Sequence, residues 1–254
     1  MLLLHGNPDN ADEWRPLMAA LAGERRCIAP DLPGYGTYGT TPPLPADFDY
    51  TIAAQTRFVD ELLAALNVDS VTLVVHDIGG IMGVPWAAAN VERLRGVVYT
   101  NTVAYPDFEW FALARMWGSE ALGDRLRSWA MMKAIGLRGG AAFVRAFRRD
   151  NPQLSEDELQ RFARDFARNA EAKATTLRQF RVVTRSDFFA DYDQMLRQIA
   201  AATATCTVWG EGDPYVPDER AEQLGAADTV RLSGVGHWVP IVAPKELAEH
   251  IRSL

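Results

Sequence analysis

Val74-Val75-His76-Asp77-Ile78-Gly79-Gly80 is the stretch on which the reading of this chain turns. The run Val71–Val75, rich in β-branched residues, reads as a buried strand, and Gly79–Asn90 reads as a helix. A strand, a tight turn and a helix in that order lift one side chain above a sheet. Small residues beside the turn let strand and helix approach closely. Asp77 holds the lifted position, where Ser is more usual, and Val75 stands where a Gly would complete the generic pattern. A carboxylate nucleophile is therefore expected there. An Asp that merely caps the following helix is the plain alternative.

Outward from this turn, the N-terminal side begins with the apolar run Leu2–Leu4, which ends in the turn signal His5-Gly6-Asn7-Pro8. Ala11–Leu21 has helical spacing. Cys27–Ala29 is a further short apolar run, closed by Pro30-Asp31-Leu32-Pro33-Gly34-Tyr35-Gly36. Thr51–Leu66 reads as an amphipathic helix with Thr51 as its N-cap, and Gly96–Thr100 as the next strand. Apolar strands alternating with helices predict an α/β fold with a mostly parallel sheet covered on both faces. Right-handed crossovers place the strand C-termini on one edge, where such sheets bind ligands.

Residues 105–185 break the alternation. They are helical in pattern, contain Trp110, Trp117 and Trp129, and carry a capping box at Ser155-x-x-Glu158. The expected division is a core of residues 1–104 and 186–254 with an all-helical insertion at 105–185. The alternation resumes at Thr205–Trp209 and Thr229–Leu232 and ends in a helix, Pro244–Ser253.

Two further turns supply chemistry. Gly234-Val235-Gly236-His237-Trp238 follows the last strand, and Trp209-Gly210-Glu211-Gly212-Asp213-Pro214 follows the one before it. His237 is the candidate base. Asp213, with Glu211 as its rival, is the acid that would orient His237. The order nucleophile, acid, base is that of one large class of α/β enzymes. The backbone N–H groups of Asn7 and Ile78 are the expected oxyanion-hole pair.

The bulk numbers narrow the classes. With 254 residues, 48% hydrophobic and 23% charged, the chain suits one large globular domain. A net charge of −7 gives no sign of a nucleic-acid partner, and the local cluster Arg145, Arg148 and Arg149 reads as a solvated helix face. No run of about 18 apolar residues exists, so neither a membrane span nor a membrane partner is expected. Cys27 and Cys206 sit in apolar runs as inert thiols, which permits a cytoplasmic location. No metal-ligand spacing is present, and Gly34-Tyr35-Gly36 lacks the context of a dinucleotide site, so no cofactor is expected.

Together the turns at residues 5–8, 31–36, 76–79 and 236–237 resemble the α/β-hydrolase superfamily, in the branch of haloalkane dehalogenases and epoxide hydrolases. The resemblance spans nearly the whole chain and matches the insertion to the family's cap. It implies that Asp77 displaces a leaving group from an sp3 carbon to give an alkyl-enzyme ester. His237, supported by Asp213, then activates the water that hydrolyses it. The implied substrate is a small apolar organic molecule.

Three departures bear on the subfamily. Two strands that usually precede Leu2–Leu4 are missing, which predicts either a sheet of about six strands or a truncated sequence, and an open sheet edge that invites a homodimer. Ile78 stands where dehalogenases carry a halide-binding Trp, so the Asn7 side-chain amide and Trp129 are the expected halide donors. The cap offers an epoxide only Tyr105 as an acid, with Tyr192 more remote, and Phe180 falls where a second Tyr is expected. Haloalkane dehalogenase is the leading expectation and epoxide hydrolase the alternative. A non-catalytic binding protein on the same scaffold is the reading from another class.

Overall fold

Five parallel strands organise the chain in a computed structural model that describes every residue except Pro43, Ala46 and Pro106. They are β1 (Leu2–Leu4), β2 (Val71–Asp77), β3 (Leu94–Thr102), β4 (Thr205–Gly210) and β5 (Asp228–Leu232), hydrogen-bonded in that order. Around them lie α1 (Arg15–Ala20), α2 (Ile52–Ala65), α3 (Gly79–Ala89), α4 (Ala112–Gly118), α5 (Leu122–Ala134), α6 (Ala141–Asp150), α7 (Glu156–Phe162), α8 (Ala170–Val183), α9 (Tyr192–Ala202), α10 (Val239–Val242) and α11 (Pro244–Arg252).

Alternate strand residues point to opposite faces of the sheet. Leu3, Val74, Val98 and Val208 pack against Trp14, Leu17, Leu247 and Ile251, under α1 and α11. Leu2, Leu73, Val75, Val97 and Tyr99 belong to the other core, with Val59, Leu63, Val84, Leu196 and Ile199 of α2, α3 and α9. Each of these fully buried aliphatic side chains contributes about 2 kcal/mol of burial free energy. The first ten residues of α3 are all buried, as suits a helix that is apolar on every side. Thr51 caps α2 by accepting the Ala54 N–H, and Ser155 caps α7 by accepting that of Glu158.

Two local expectations are revised. Cys27–Ala29 is not a sixth strand: it makes a single bridge, Ile28 to Leu2, because Pro30 has no N–H to extend the ladder. That bridge nonetheless occupies the edge expected to be open, since Leu3 N–H donates to Ile28 O and Ile28 N–H to Met1 O. Ala11–Leu21 is not one helix but a 3-10 turn, Ala11–Trp14, followed by α1, with Pro16 in the first α-helical turn, where no amide bond is lost. Cys206 is buried, whereas Cys27 is half-buried.

From β1 the chain steps outward to Ile28 and then crosses back to β2 on the other side. The loops leaving β1 and β2 therefore diverge and open a crevice at the strand C-termini. The segment from α4 to α8 lies between β3 and β4 in sequence and contains no strand among the described residues. Arg161 of α7 pairs with buried Asp9 in the turn after β1, its Nη2 donating to Asp9 Oδ2 at 2.8 Å, and with Glu158 at 2.8 Å. Among the described residues no helix is long and apolar enough to cross a membrane.

Candidate active site

Asp77 ends β2 with φ 45°, in the left-handed region that costs a non-glycine residue energy. Its surroundings hold it there. Thr102 Oγ1 donates to Asp77 O at 2.6 Å, and α3 starts so close to β1 that a Cβ on Gly79 would lie 2.1 Å from Leu4 O. A Cβ on Gly80 would meet Thr102 Oγ1 at 2.0 Å. Only glycines permit this approach, and they tip the carboxylate over the sheet edge.

The three side chains singled out in the sequence meet. His237 Nδ1 donates to Asp213 Oδ2 at 2.6 Å, and His237 Nε2 stands 3.7 Å from Asp77 Oδ2. The Asn7 N–H points to the same Asp77 oxygen at 3.3 Å, across a turn that contains a cis Asn7–Pro8 peptide. The rival Glu211 does not reach the ring; it serves through its backbone, whose O accepts the Gly236 N–H. Burial opposes charge on Asp213, yet the His237 ring, Asn101 and the Tyr215 N–H outweigh it and hold the carboxyl below the usual range. Burial likewise opposes charge on His237, but Asp213 and then Asp77 overcome it and raise the ring to about 10.

Three supporting residues were missed in the sequence. Asn101, at φ 35° near the end of β3, donates through Nδ2 to Asp213 Oδ2 at 2.8 Å and to Gly210 O at 3.0 Å. Its Oδ1 accepts the Gly210 N–H at 2.8 Å, which locks β4's exit to β3. Glu13, fully buried, accepts the Gly6 N–H at 3.0 Å and faces His76 Nδ1 at 2.9 Å. Burial opposes its charge, but His76 and then His5 hold the carboxyl low. His76 Nε2 in turn donates to His237 O at 3.0 Å. Tyr215 packs edge-on to His237, with centroids 5.0 Å apart, and accepts from Asn151 Nδ2 at 2.8 Å. A polar residue at a strand end was the only signal for Asn101; nothing local marked the other two.

Asp77 opens into a cavity of about 290 Å³ whose walls include Trp110, Trp117, Phe143, Phe166, Phe180 and Tyr215. Phe180 thus stands on the cavity wall. Other expected leaving-group residues do not. Trp129 is 60% exposed on the outer side of α5, because Met131 and Ile135 hold the inner side. Tyr105 is wholly buried beside Phe108 and under Arg220, away from the cavity, and burial pushes its phenol up. Tyr192 donates to Ile81 O at 2.7 Å inside the core. Ile78 gives its side chain to the core. Asn7 does line the cavity, but both hydrogens of its amide are engaged, with Tyr35 Oη at 2.9 Å and Thr176 Oγ1 at 2.8 Å. Among the described residues no cluster of three His, Cys, Asp or Glu side chains is arranged to hold a metal ion.

Comparison with known proteins gives a consistent picture. The family model described as the alpha/beta hydrolase fold matches residues 1–244. A cis-3-alkyl-4-alkyloxetan-2-one decarboxylase of Xanthomonas campestris is 32% identical over 159 residues, which cover 59% of this chain and 51% of that protein. A haloalkane dehalogenase of Agrobacterium fabrum is 39% identical over 103 residues, covering 41% and 32%. A solved haloalkane dehalogenase from Bradyrhizobium elkani superposes with a TM-score of 0.74 at 26% identity, over 99% of this chain and 89% of that one. These alignments span about half or less of the length of the curated relatives.

Proposed function

The chain belongs to the α/β-hydrolase family, and from that premise we propose that it is a haloalkane dehalogenase-like hydrolase with Asp77 as nucleophile. Asp77 attacks an sp3 carbon, the halide leaves with the bonding pair, and an alkyl ester forms on the carboxylate. His237 takes a proton from water, which attacks the ester carbonyl, and Asp213 stabilises the imidazolium. The N–H groups of Asn7 and Ile78 receive the charge on the tetrahedral oxygen. The helical segment at 105–185 acts as the cap that keeps the cavity dry.

The observation that carries this reading is the buried line from Asp213 through His237 to Asp77, at 2.6 Å and 3.7 Å, opening on an aromatic cavity. The two carboxylates also explain the timing. In the free protein both hold a proton on His237. Ester formation neutralises Asp77, withdraws one of them and lowers the ring's affinity for its proton, so the base becomes available for the second step.

Trp117 is the candidate halide donor, once a turn of its ring brings the buried indole N–H to the cavity. Of the three tryptophans between residues 105 and 185, Trp110 donates to Val183 O and Trp129 faces outward. Trp117 lines the cavity, and its indole N–H has no protein acceptor. The epoxide alternative loses both of its expected acids, since neither Tyr105 nor Tyr192 reaches the cavity.

A second reading is favoured by the engaged Asn7 amide and by the decarboxylase relative. Attack of Asp77 on C4 of an alkylated oxetan-2-one would open the ring to a carboxylate that stays tethered and needs no halide pocket. Loss of CO2 would then form the alkene and release Asp77.

Intact-mass measurement on His237→Ala tests both. With 1-bromohexane an adduct of substrate minus hydrogen bromide should accumulate on Asp77. With a dialkyl oxetanone, wild type would release CO2 and alkene instead. Wild-type turnover of either substrate with Asp77→Ala equally active would overturn the nucleophile assignment.

A further inference from the structure

The outer face of α5 has no partner in the fold. By helical periodicity Leu122, Leu126, Trp129 and Lys133 fall within one narrow arc. Leu122 is 72% exposed, Leu126 59% and Trp129 60%, and Leu137 continues the strip at 65%. The opposite side of the helix sends Met131 and Ile135 into the cavity, so packing accounts for only one of its two apolar faces. Arg125, Lys133, Arg138 and Arg145 are exposed around the strip. None of the four pairs with a carboxylate among the described residues, whereas neighbouring Arg127 and Arg148 do. Lys133 Nζ lies 6.0 Å from the Trp129 ring centroid. Arg138, Arg145 and Arg148 line a surface depression of about 380 Å³, with Glu156 and Gln160 at its side.

The charge of the whole segment points the same way. Residues 112–183 hold fourteen Lys and Arg against eight Asp and Glu, while the rest of the chain holds twelve against twenty-five. An otherwise acidic protein thus carries a basic segment, and the apolar strip lies on it.

We propose that this face seats the protein on an anionic phospholipid surface, with Leu122, Leu126 and Trp129 in the headgroup boundary and Arg138 and Arg145 against lipid phosphates. A convex apolar strip with an indole and flanking cations is the form that lies in an interface. A second copy docked through the same face would set two basic surfaces against each other. Leu113, Ala142 and Ala146 line the cavity and are also exposed at the surface. Seating would therefore turn the cavity mouth toward the phase where apolar molecules collect. This is a peripheral contact and does not depend on the chemistry at Asp77.

Co-sedimentation of the full chain with vesicles tests it, using equal parts phosphatidylglycerol and phosphatidylcholine against phosphatidylcholine alone. The protein should sediment with the anionic vesicles and be released by salt. Leu126→Glu and Trp129→Glu should each weaken binding on the order of ten-fold, and Arg138→Ala roughly five-fold, with a shallower salt dependence. These side chains are exposed, so circular dichroism should show an unchanged fold. Absence of binding, equal binding to both vesicles, or binding indifferent to the substitutions would overturn the proposal. So would a wild-type dimer, seen by light scattering, that Trp129→Glu dissociates, because a second copy would then cover the strip.

Discussion

Asp213 and Glu13 are both buried carboxylates facing a histidine, yet they govern different things. Asp213 touches the ring that, in the proposed reaction, gives up and takes protons. Asp213→Asn should leave alkylation of Asp77 nearly intact and slow ester hydrolysis by roughly a thousand-fold. Rapid-quench measurement of the two half-reactions would show both slowed equally if Asp213 served only the fold. Glu13 instead joins three loops: Gly6 beside the oxyanion turn, His76 beside Asp77 and, through His76, the backbone of His237. Glu13→Gln should cost about 3 kcal/mol in urea unfolding, because it removes the buried carboxylate that His76 and the Gly6 N–H face. It should also lower kcat with little change in KM, since Glu13 does not line the cavity. A variant as stable as wild type would show that the pair contributes nothing to the loops' registration. Asp77, Asp213 and His237 were legible in the sequence because each lies at or soon after the end of a strand and sits in its own turn signal. Glu13 and Asn101 were not, because what identifies them is a partner brought close by folding: Asn101 meets Asp213 across 112 residues of sequence.

Among the elements, α5 shows where periodicity stops being informative. Its Leu and Trp positions and its Met and Ile positions both recur at helical spacing, so the pattern marks two apolar faces and does not say which one covers the cavity. The expectation that Trp129 faces the cavity rests on resemblance to dehalogenase caps, and the periodicity gives it no support. Whole strands were easier to read: an apolar run between turn signals has one reading, and β2 through β5 fall where the sequence put them, within the usual uncertainty of element ends. Cys27–Ala29 failed because a three-residue run before a proline has too few donors to build a ladder. The attachment of α7 was invisible for a different reason, since Arg161 reads as one more surface cation until Asp9 is buried against it. Arg161→Ala would leave Asp9 in the interior without its partner, at a cost of about 3 kcal/mol. Hydrogen exchange should then quicken in α6 and α7 before it quickens in β2. Uniform quickening would show that the contact supports the fold as a whole.

At the scale of the molecule, the Asp213–His237 pair makes stability depend on pH in a definite direction. His237 is raised from 6.5 to about 10, so its contribution is complete below pH 6.5 and lost as pH rises through about 10. Asp213 is lowered from 3.8, so its contribution is complete above pH 3.8 and lost as pH falls through the lower folded value. The pair therefore contributes most between about pH 4 and 6.5, on the order of 2 kcal/mol. Wild type should melt at progressively lower temperature from pH 7 to 10, and Asp213→Asn should flatten that limb. Parallel limbs for the two proteins in calorimetry would refute the linkage. The helical segment itself enters and leaves the sheet between two strands that are already neighbours, with Val97 beside Thr205. The sheet needs it only as a connection. Asp77, Asp213 and His237 all lie outside it, while the aromatic walls other than Tyr215 lie within it, as do the exposed strip of α5 and its flanking cations. Such a division lets the segment change with the molecules or surfaces it reads, so long as a replacement keeps the Arg161–Asp9 and Thr176–Asn7 contacts that fasten it to the loops around Asp77.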